Sequence, residues 1–228
     1  MIVRRKKFLS DVDGVVAGLM EGFSAWMYEE LDEVLPVDSI SRHSMMGESP
    51  DLQDLRMRLR LRFPHRFGED GTERRHTSIG KAFLEFMSMD MVYQKWVRPL
   101  PGAIENLSFI EQNFDLIFVT ATMKDAPQSY ESKFLWLKYY FPKVRVCSIA
   151  SELKQFFGEH GDLAVDDRYD LCEHWKQRGI RAMCLKRPWS QEPEGAETFD
   201  WDGVRKIVDN QIELDQMLAS VKSFGGEF

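Results

Sequence analysis

Two kinds of apolar spacing follow each other along the chain. Between 17 and 96 apolar residues recur at helical intervals, with no strongly β-branched run. Met20, Phe23, Met27 and Leu31, flanked by Trp26, mark one face of a helix that Pro36 and Asp38 end. Residues 43–50 read as loop. Residues 51–63 fit two periods at once: Arg56, Arg58, Arg60 and Arg62 alternate with Met57, Leu59, Leu61 and Phe63, whereas Leu52, Leu55 and Leu59 fit a helix. Helix prevails because Leu, Arg, Met and Gln favour it. A polar loop over 67–77 holds Gly68, Gly71, Arg74, Arg75 and His76, and 78–93 reads as a further helix around Phe83, Phe86, Met87 and Val92.

At Pro99-Leu100-Pro101-Gly102 the spacing changes. Short apolar runs at 115–120, 144–149, 162–166 and 181–185 alternate with helical stretches at 103–113, 127–141, 151–157 and 169–178, and a terminal helix is expected from about 202 to 221. Pro127 suits a first helical turn and Gly179 a helix end. With the run at 8–10, this rhythm predicts an α/β fold: a Rossmann-like doubly wound parallel sheet. The core is expected to span 1–16 and 97–228, with a helical cap subdomain inserted over 17–96 after the first strand. There are no repeats and no low-complexity tract.

Bulk properties narrow the functional classes. The chain has 228 residues and a net charge of −7, which argues against broad nucleic-acid binding by field alone but allows a small anionic substrate. No apolar run is long enough to span a bilayer. The basic start, 1–7, leads straight into Asp11 without the apolar stretch of a signal peptide. Cys147, Cys172 and Cys184 have no C-x-x-C spacing and read as reduced thiols without a metal or disulfide role, as in a cytoplasmic protein.

The chemistry lies where predicted strands end. In an open parallel sheet, ligands bind outside the carboxyl ends of the strands. Asp11-Val12-Asp13-Gly14 follows the first strand, and period-two alternation puts both carboxylates on one side. Gly14 allows a sharp turn and close backbone approach to a ligand. Such a pair can hold a hard cation or divide into nucleophile and acid/base. A calcium loop fits poorly, because Val15 occupies a ligand position. Thr120-Ala121-Thr122 ends the second strand, and Asp166-Asp167-Arg168 follows another. Alone, Thr120 reads as a turn cap and the acid pair as a turn, but adjacent like charges are relieved by a cation. Lys124, Lys133 and Lys138 are the positive candidates, with solvated surface the ordinary reading of any one.

Together these residues resemble the haloacid-dehalogenase-like phosphohydrolases over nearly the whole chain. D-V-D-G-V at 11–15 matches the first motif, F-V-T at 118–120 the second, Lys133 the third and V-D-D-R at 165–168 the fourth. The resemblance implies Asp11 as nucleophile, Asp13 as general acid/base, and Thr120 and Lys133 as holders of the phosphoryl oxygens. It implies Mg²⁺ bound by Asp11, the backbone carbonyl of Asp13 and Asp167, with Asp166 in support, and places the inserted helices as a cap. Within that group the chain is most similar to the 5′(3′)-deoxyribonucleotidases, through 99–103, the run from Tyr130 through Trp136 to Pro142, and 166–168. Gly14, Ala121 and Lys124 then fall on the substrate side. Leu19 stands where that group commonly has Phe, and Ala121 where Ser is common.

The expected activity is therefore Mg²⁺-dependent phosphomonoester hydrolysis, most closely of a nucleoside monophosphate. A sugar phosphate or nucleic-acid end, kept in view by the arginines from Arg56 to Arg75, and a silent binding module are the competitors. No membrane or stable nucleic-acid partner is expected, and a homodimer is compatible with the sequence. With Leu19 replacing the Phe, at least one ring of Trp26, Phe86 and Trp96 is expected to line the pocket facing Asp11.

Overall fold

The structure is a computed structural model that describes residues 5–40, 49–69, 77–190 and 197–224, with backbone only over 221–224. Six strands form one parallel sheet: β1 (Lys7–Ser10), β2 (Asp115–Thr120), β3 (Arg145–Ser148), β4 (Leu163–Asp166), β5 (Arg181–Leu185) and β6 (Thr198–Phe199), in the spatial order β3-β2-β1-β4-β5-β6. The order reverses direction at β1, so β1, β2 and β4 are adjacent. Their registers align Ser10 with Phe118 and with Val165, which brings the three carboxyl ends to one level.

Alternation along the strands supplies both faces of the core. Phe8, Phe118 and Val165 belong to one apolar cluster, with Leu107 and Ile110 of α6 (Ala103–Asn113), Trp136 and Leu137 of α7 (Gln128–Tyr140), and Val204 and Val208 of α9 (Trp201–Phe224). Leu9, Ile117, Val119 and Ala164 face the opposite way and pack on Leu171, Cys172 and Trp175 of α8 (Tyr169–Gln177). Residues buried on both faces explain why these strands read as continuous apolar runs.

Among the described residues, five α-helices come between β1 and β2: α1 (Leu19–Leu31), α2 (Pro50–Arg62), α3 (Pro64–Phe67), α4 (Ser78–Met87) and α5 (Val92–Trp96). The ambiguous stretch is helical because Leu52, Leu55 and Leu59 share one buried face, while Met57 and Leu61, which a strand would bury, are 47% and 68% exposed. Its arginines are spent locally. Arg58 and Arg62 pair with the buried carboxylate of Glu33 at 2.8 and 2.5 Å, Arg56 with Glu69, and Arg66 with Glu85. Arg74, Arg75, Gly71, His76 and most of the loops expected at 43–50 and 67–77 lie outside the described residues.

Three local expectations are corrected. The single helix expected over 78–93 is two, because Met91 adopts a left-handed conformation (φ 57°) and α5 starts afresh after it. The helix expected at 151–157 is a 3-10 helix, Ser151–Phe156. The short edge strand β6 was not foreseen, and it pairs Cys184 with Thr198. Among the described residues no helix is long and apolar enough to cross a membrane.

Candidate active site

Asp11 follows β1 directly and is buried; its backbone N–H donates to the carbonyl of Val165 at 3.0 Å, which ties it to β4. At Val12 the chain turns back. The carbonyl of Val12 accepts from Val16 and Ala17 at 2.8 Å, and Gly14, at φ +77°, donates to Ala17. A glycine is required at 14 on two counts: the positive φ, and a Cβ that would stand 2.1 Å from Oδ2 of Asp167. Asp166 closes β4 and Asp167 follows it. One oxygen from each of Asp11, Asp166 and Asp167 lies within 4.8 Å of the others, as metal binding requires.

Two buried lysines face these acids. Lys154, on the 3-10 helix after β3, reaches Asp11 at 2.8 Å and Asp166 at 2.6 Å. Lys133, on α7, donates to Asp13 at 2.6 Å, to Oγ1 of Thr120 at 2.9 Å and to the carbonyl of Ala121 at 3.0 Å. Four carboxylates against these two ammonium groups leave negative charge in excess. Burial pushes Asp11 up to about 6, with the charges of Asp166 and Asp13 adding to it and Lys154 opposing. Burial, then the charge of Asp11, pushes Asp167 up to about 7 against its bond from Trp189. Burial raises Asp166 as well, despite Lys154. Although burial alone would lower Lys154, Asp11 and Asp166 hold it above its ordinary value, so it stays charged.

Asp167 is the acid of this cluster with an oxygen left over. Its Oδ2 accepts from the indole N–H of Trp189 at 2.6 Å, and its backbone carbonyl accepts from the hydroxyl of Ser190 at 2.7 Å. Its Oδ1 is buried with no partner. A buried carboxylate oxygen without a donor is costly. An unpartnered oxygen beside Asp11, in a cluster with surplus negative charge, fits a hard divalent ion such as Mg²⁺.

A cavity of about 410 Å³ opens in front of Asp11 and Asp13. Gly14, Ala121 and Lys133 line it, as expected for a substrate side. Lys124 does not: it is exposed on the loop after β2, and its neighbour Met123 lines the cavity instead. The expectation for the rings is overturned too. Trp26, Phe86 and Trp96 are buried, at 1%, 0% and 6% exposure, and none lines the cavity. Trp26 and Phe86 close on Phe23 at ring distances of 5.8 and 5.4 Å, filling the interior of the insertion. Two rings do reach the cavity: Phe83, one turn before Phe86 on α4, and Trp189.

At the level of sequence, no family model and no curated protein matches the chain. Solved structures do. The putative HAD-hydrolase YfnB from Bacillus subtilis bound to magnesium aligns with 90% of this chain and 99% of its own at a TM-score of 0.52 and 15% identity. A haloacid dehalogenase-like family hydrolase from Xanthomonas campestris aligns with 95% of this chain and 98% of its own at 0.51 and 15%. The fold is that of the haloacid-dehalogenase-like hydrolases. Mycobacterium tuberculosis protein tyrosine kinase A aligns equally well, with 90% of this chain and 98% of its own at a TM-score of 0.52 and 12% identity. A haloacid-dehalogenase-like fold therefore leaves the reaction to be argued from the site.

Sequence reasoning missed Lys154, Trp189 and Tyr93. Lys154 sits in an ordinary amphipathic stretch, Leu153-Lys154-Gln155, and only the packing of that segment on α8 and β2 places its ammonium on Asp11. Trp189 follows Pro188, between the run at 181–185 and the terminal helix, outside every element the spacing predicts. Tyr93 closed a predicted apolar face, yet its hydroxyl donates to Asp13 at 2.5 Å.

Proposed function

We propose that this protein is a Mg²⁺-dependent phosphomonoesterase that works through an aspartyl-phosphate on Asp11, with a nucleoside monophosphate as substrate. One observation carries the reading: Asp11 and Asp13 stand together at the floor of a cavity, each paired with its own buried lysine. Lys154 engages one oxygen of Asp11 and favours its ionised form, leaving the other oxygen for attack on phosphorus. As the bond to the leaving oxygen breaks, its electron pair stays with that oxygen, which takes a proton from Asp13. Asp13 then removes a proton from the water that hydrolyses the aspartyl-phosphate. Lys133 and Thr120, joined at 2.9 Å, would turn donors to the phosphoryl oxygens when substrate enters, in exchange for their present bonds to each other and to the carbonyl of Ala121. Mg²⁺ held by Asp11, Asp167 and the carbonyl of Asp13, with Asp166 in support, would supply charge neutralisation at the phosphoryl group. The inserted helices would act as the cap that keeps bulk water out.

The nucleoside part rests on the far wall. Among the described residues, Leu19, Met20, Ile40, Phe83, Met87 and Met123 form it. An apolar wall suits a flat base, whereas a polyol would leave hydroxyls without partners there. Phosphate release from a panel of nucleoside monophosphates, sugar phosphates and aryl phosphates with Mg²⁺, using Asp11→Asn as control, tests both parts. Nucleotides are expected to lead and the variant to be inactive. Preferred turnover of sugar phosphates would remove the nucleoside assignment. Equal activity of the Asp11→Asn protein would remove the mechanism.

A further inference from the structure

Asp13 is held from two directions, and one of them comes from the insertion. Lys133 donates to its Oδ2 at 2.6 Å, and the hydroxyl of Tyr93 donates to its Oδ1 at 2.5 Å. Tyr93 is completely buried, and its ring also faces the Lys133 ammonium at 5.6 Å. We propose that Tyr93 is a positioning residue for Asp13, a device by which the inserted helices set the proton-transfer carboxylate. The proposal rests on the reading of Asp13 as acid/base.

Three observations make this more than a chance contact. First, helix α5 is pinned where it meets α7. The N–H of Tyr93 donates to the hydroxyl of Ser132 at 2.9 Å, and that hydroxyl donates to Gln94 at 2.7 Å. The amide of Gln94 returns a bond to the carbonyl of Ser132 at 2.9 Å, and Trp136 donates to the carbonyl of Val97 at 3.2 Å. Ser132 precedes Lys133, so the two donors that grip Asp13 are tied to one another through adjacent residues.

Second, the chain breaks its helix to place Tyr93. Met91, in the left-handed region at φ 57°, separates α4 from α5. A non-glycine residue is strained there, and one continuous helix would have aimed position 93 elsewhere. Third, Asp13 is the acid most in need of orientation, with 28% side-chain exposure against 11% or less for Asp11 and Asp166. With a donor on each oxygen, its carboxyl plane is fixed. The charge that appears when Asp13 gives its proton to the leaving oxygen is then met by two hydrogen bonds.

The test is Tyr93→Phe, which removes one oxygen and keeps the ring. A merely structural tyrosine would weaken every substrate alike. A residue acting through Asp13 matters in proportion to how badly the leaving oxygen needs a proton. For an alkyl phosphate, kcat/KM should fall roughly tenfold or more. For a nitrophenyl phosphate, whose leaving group departs without protonation, the fall should be less than about threefold on the same scale. Equal losses on both probes would overturn the proposal, as would no loss on either. A wild type that hydrolyses neither probe would overturn the phosphatase reading and the proton-transfer role with it. Crystal structures of the wild type and the variant give a readout free of activity. Asp13 is expected within hydrogen-bond distance of Tyr93 in the first and turned from that position in the second. A wild-type structure with the two side chains apart would overturn the proposal whatever the enzyme hydrolyses.

Discussion

Replacing Gly14 by alanine tests how tightly the turn after Asp11 and the cation cluster are built into each other. The residue has φ +77°, which costs an L-residue roughly 1–2 kcal/mol. The new methyl would also stand 2.1 Å from Oδ2 and 2.8 Å from Cγ of Asp167, and 3.2 Å from Cζ2 of Trp189. A carbon cannot approach a carboxylate oxygen much closer than about 3 Å, so Asp167 must retreat by on the order of 1 Å. That retreat strains or breaks its bond from Trp189, a loss of roughly 1.5–3 kcal/mol for a charged acceptor. Together the two effects give roughly 2.5–5 kcal/mol, or a fall in Tm of roughly 5–20 °C for a chain of this size. A misplacement of about 1 Å at a reacting centre costs on the order of 100-fold in rate. Gly161 supplies the control, because it has φ +87° and nothing within 4 Å of its would-be Cβ. Gly161→Ala should carry the backbone cost alone and keep its activity. Tm by calorimetry, phosphate release, and the Mg²⁺ concentration for half-maximal activity should be measured on both. If the two variants match in Tm, rate and Mg²⁺ requirement, the packing argument for Gly14 is wrong.

Lys154→Met should cost roughly 3–5 kcal/mol, because Asp11 and Asp166 would stay buried without their shared cation; a variant with a Tm within a few degrees of wild type and full turnover would contradict that. The acids also set a pH dependence. Asp11 and Asp167 stand at about 6 and about 7 in the folded protein against an ordinary 3.8, so the metal-free folded state holds protons that the unfolded chain has already released. Its stability should therefore fall as pH rises from about 4 to 7, and Mg²⁺ should reduce that fall by favouring the ionised forms. Thermal unfolding across this range in EDTA and in Mg²⁺ checks it; a metal-free Tm that is flat or rises with pH refutes the sign.

Much of this molecule was legible in the chain because the relevant signals are local. Runs such as Asp115–Thr120 are apolar on both faces, and alternation with helical stretches leaves few arrangements besides a parallel sheet. Asp11, Asp13, Thr120, Asp166 and Asp167 could be picked out because ligands in such sheets gather at strand ends. Register then did what local reasoning assumed, bringing the ends of β1, β2 and β4 level.

Periodicity tells which face of an element is apolar, and it stops there. It made Trp26, Phe86 and Trp96 as eligible for the cavity as Phe83, and only the packing of α1 against α4 turned Phe83 toward Asp11 and the others inward. It offered Lys124 as a candidate cation and passed over Lys154. One stays in water, while the other is buried between Asp11 and Asp166, because the 3-10 helix that carries it packs on α8 and β2. The break at Met91 has no glycine or proline to announce it. It exists because the bonds from Tyr93 to Ser132 and Asp13 outweigh continuing the helix, and those partners lie 39 and 80 residues away. The sequence by itself determined the parallel sheet and the carboxylates at the carboxyl ends of its strands. The tertiary structure alone decided which cations, rings and hydroxyls meet those carboxylates, because such contacts join residues that share no local pattern.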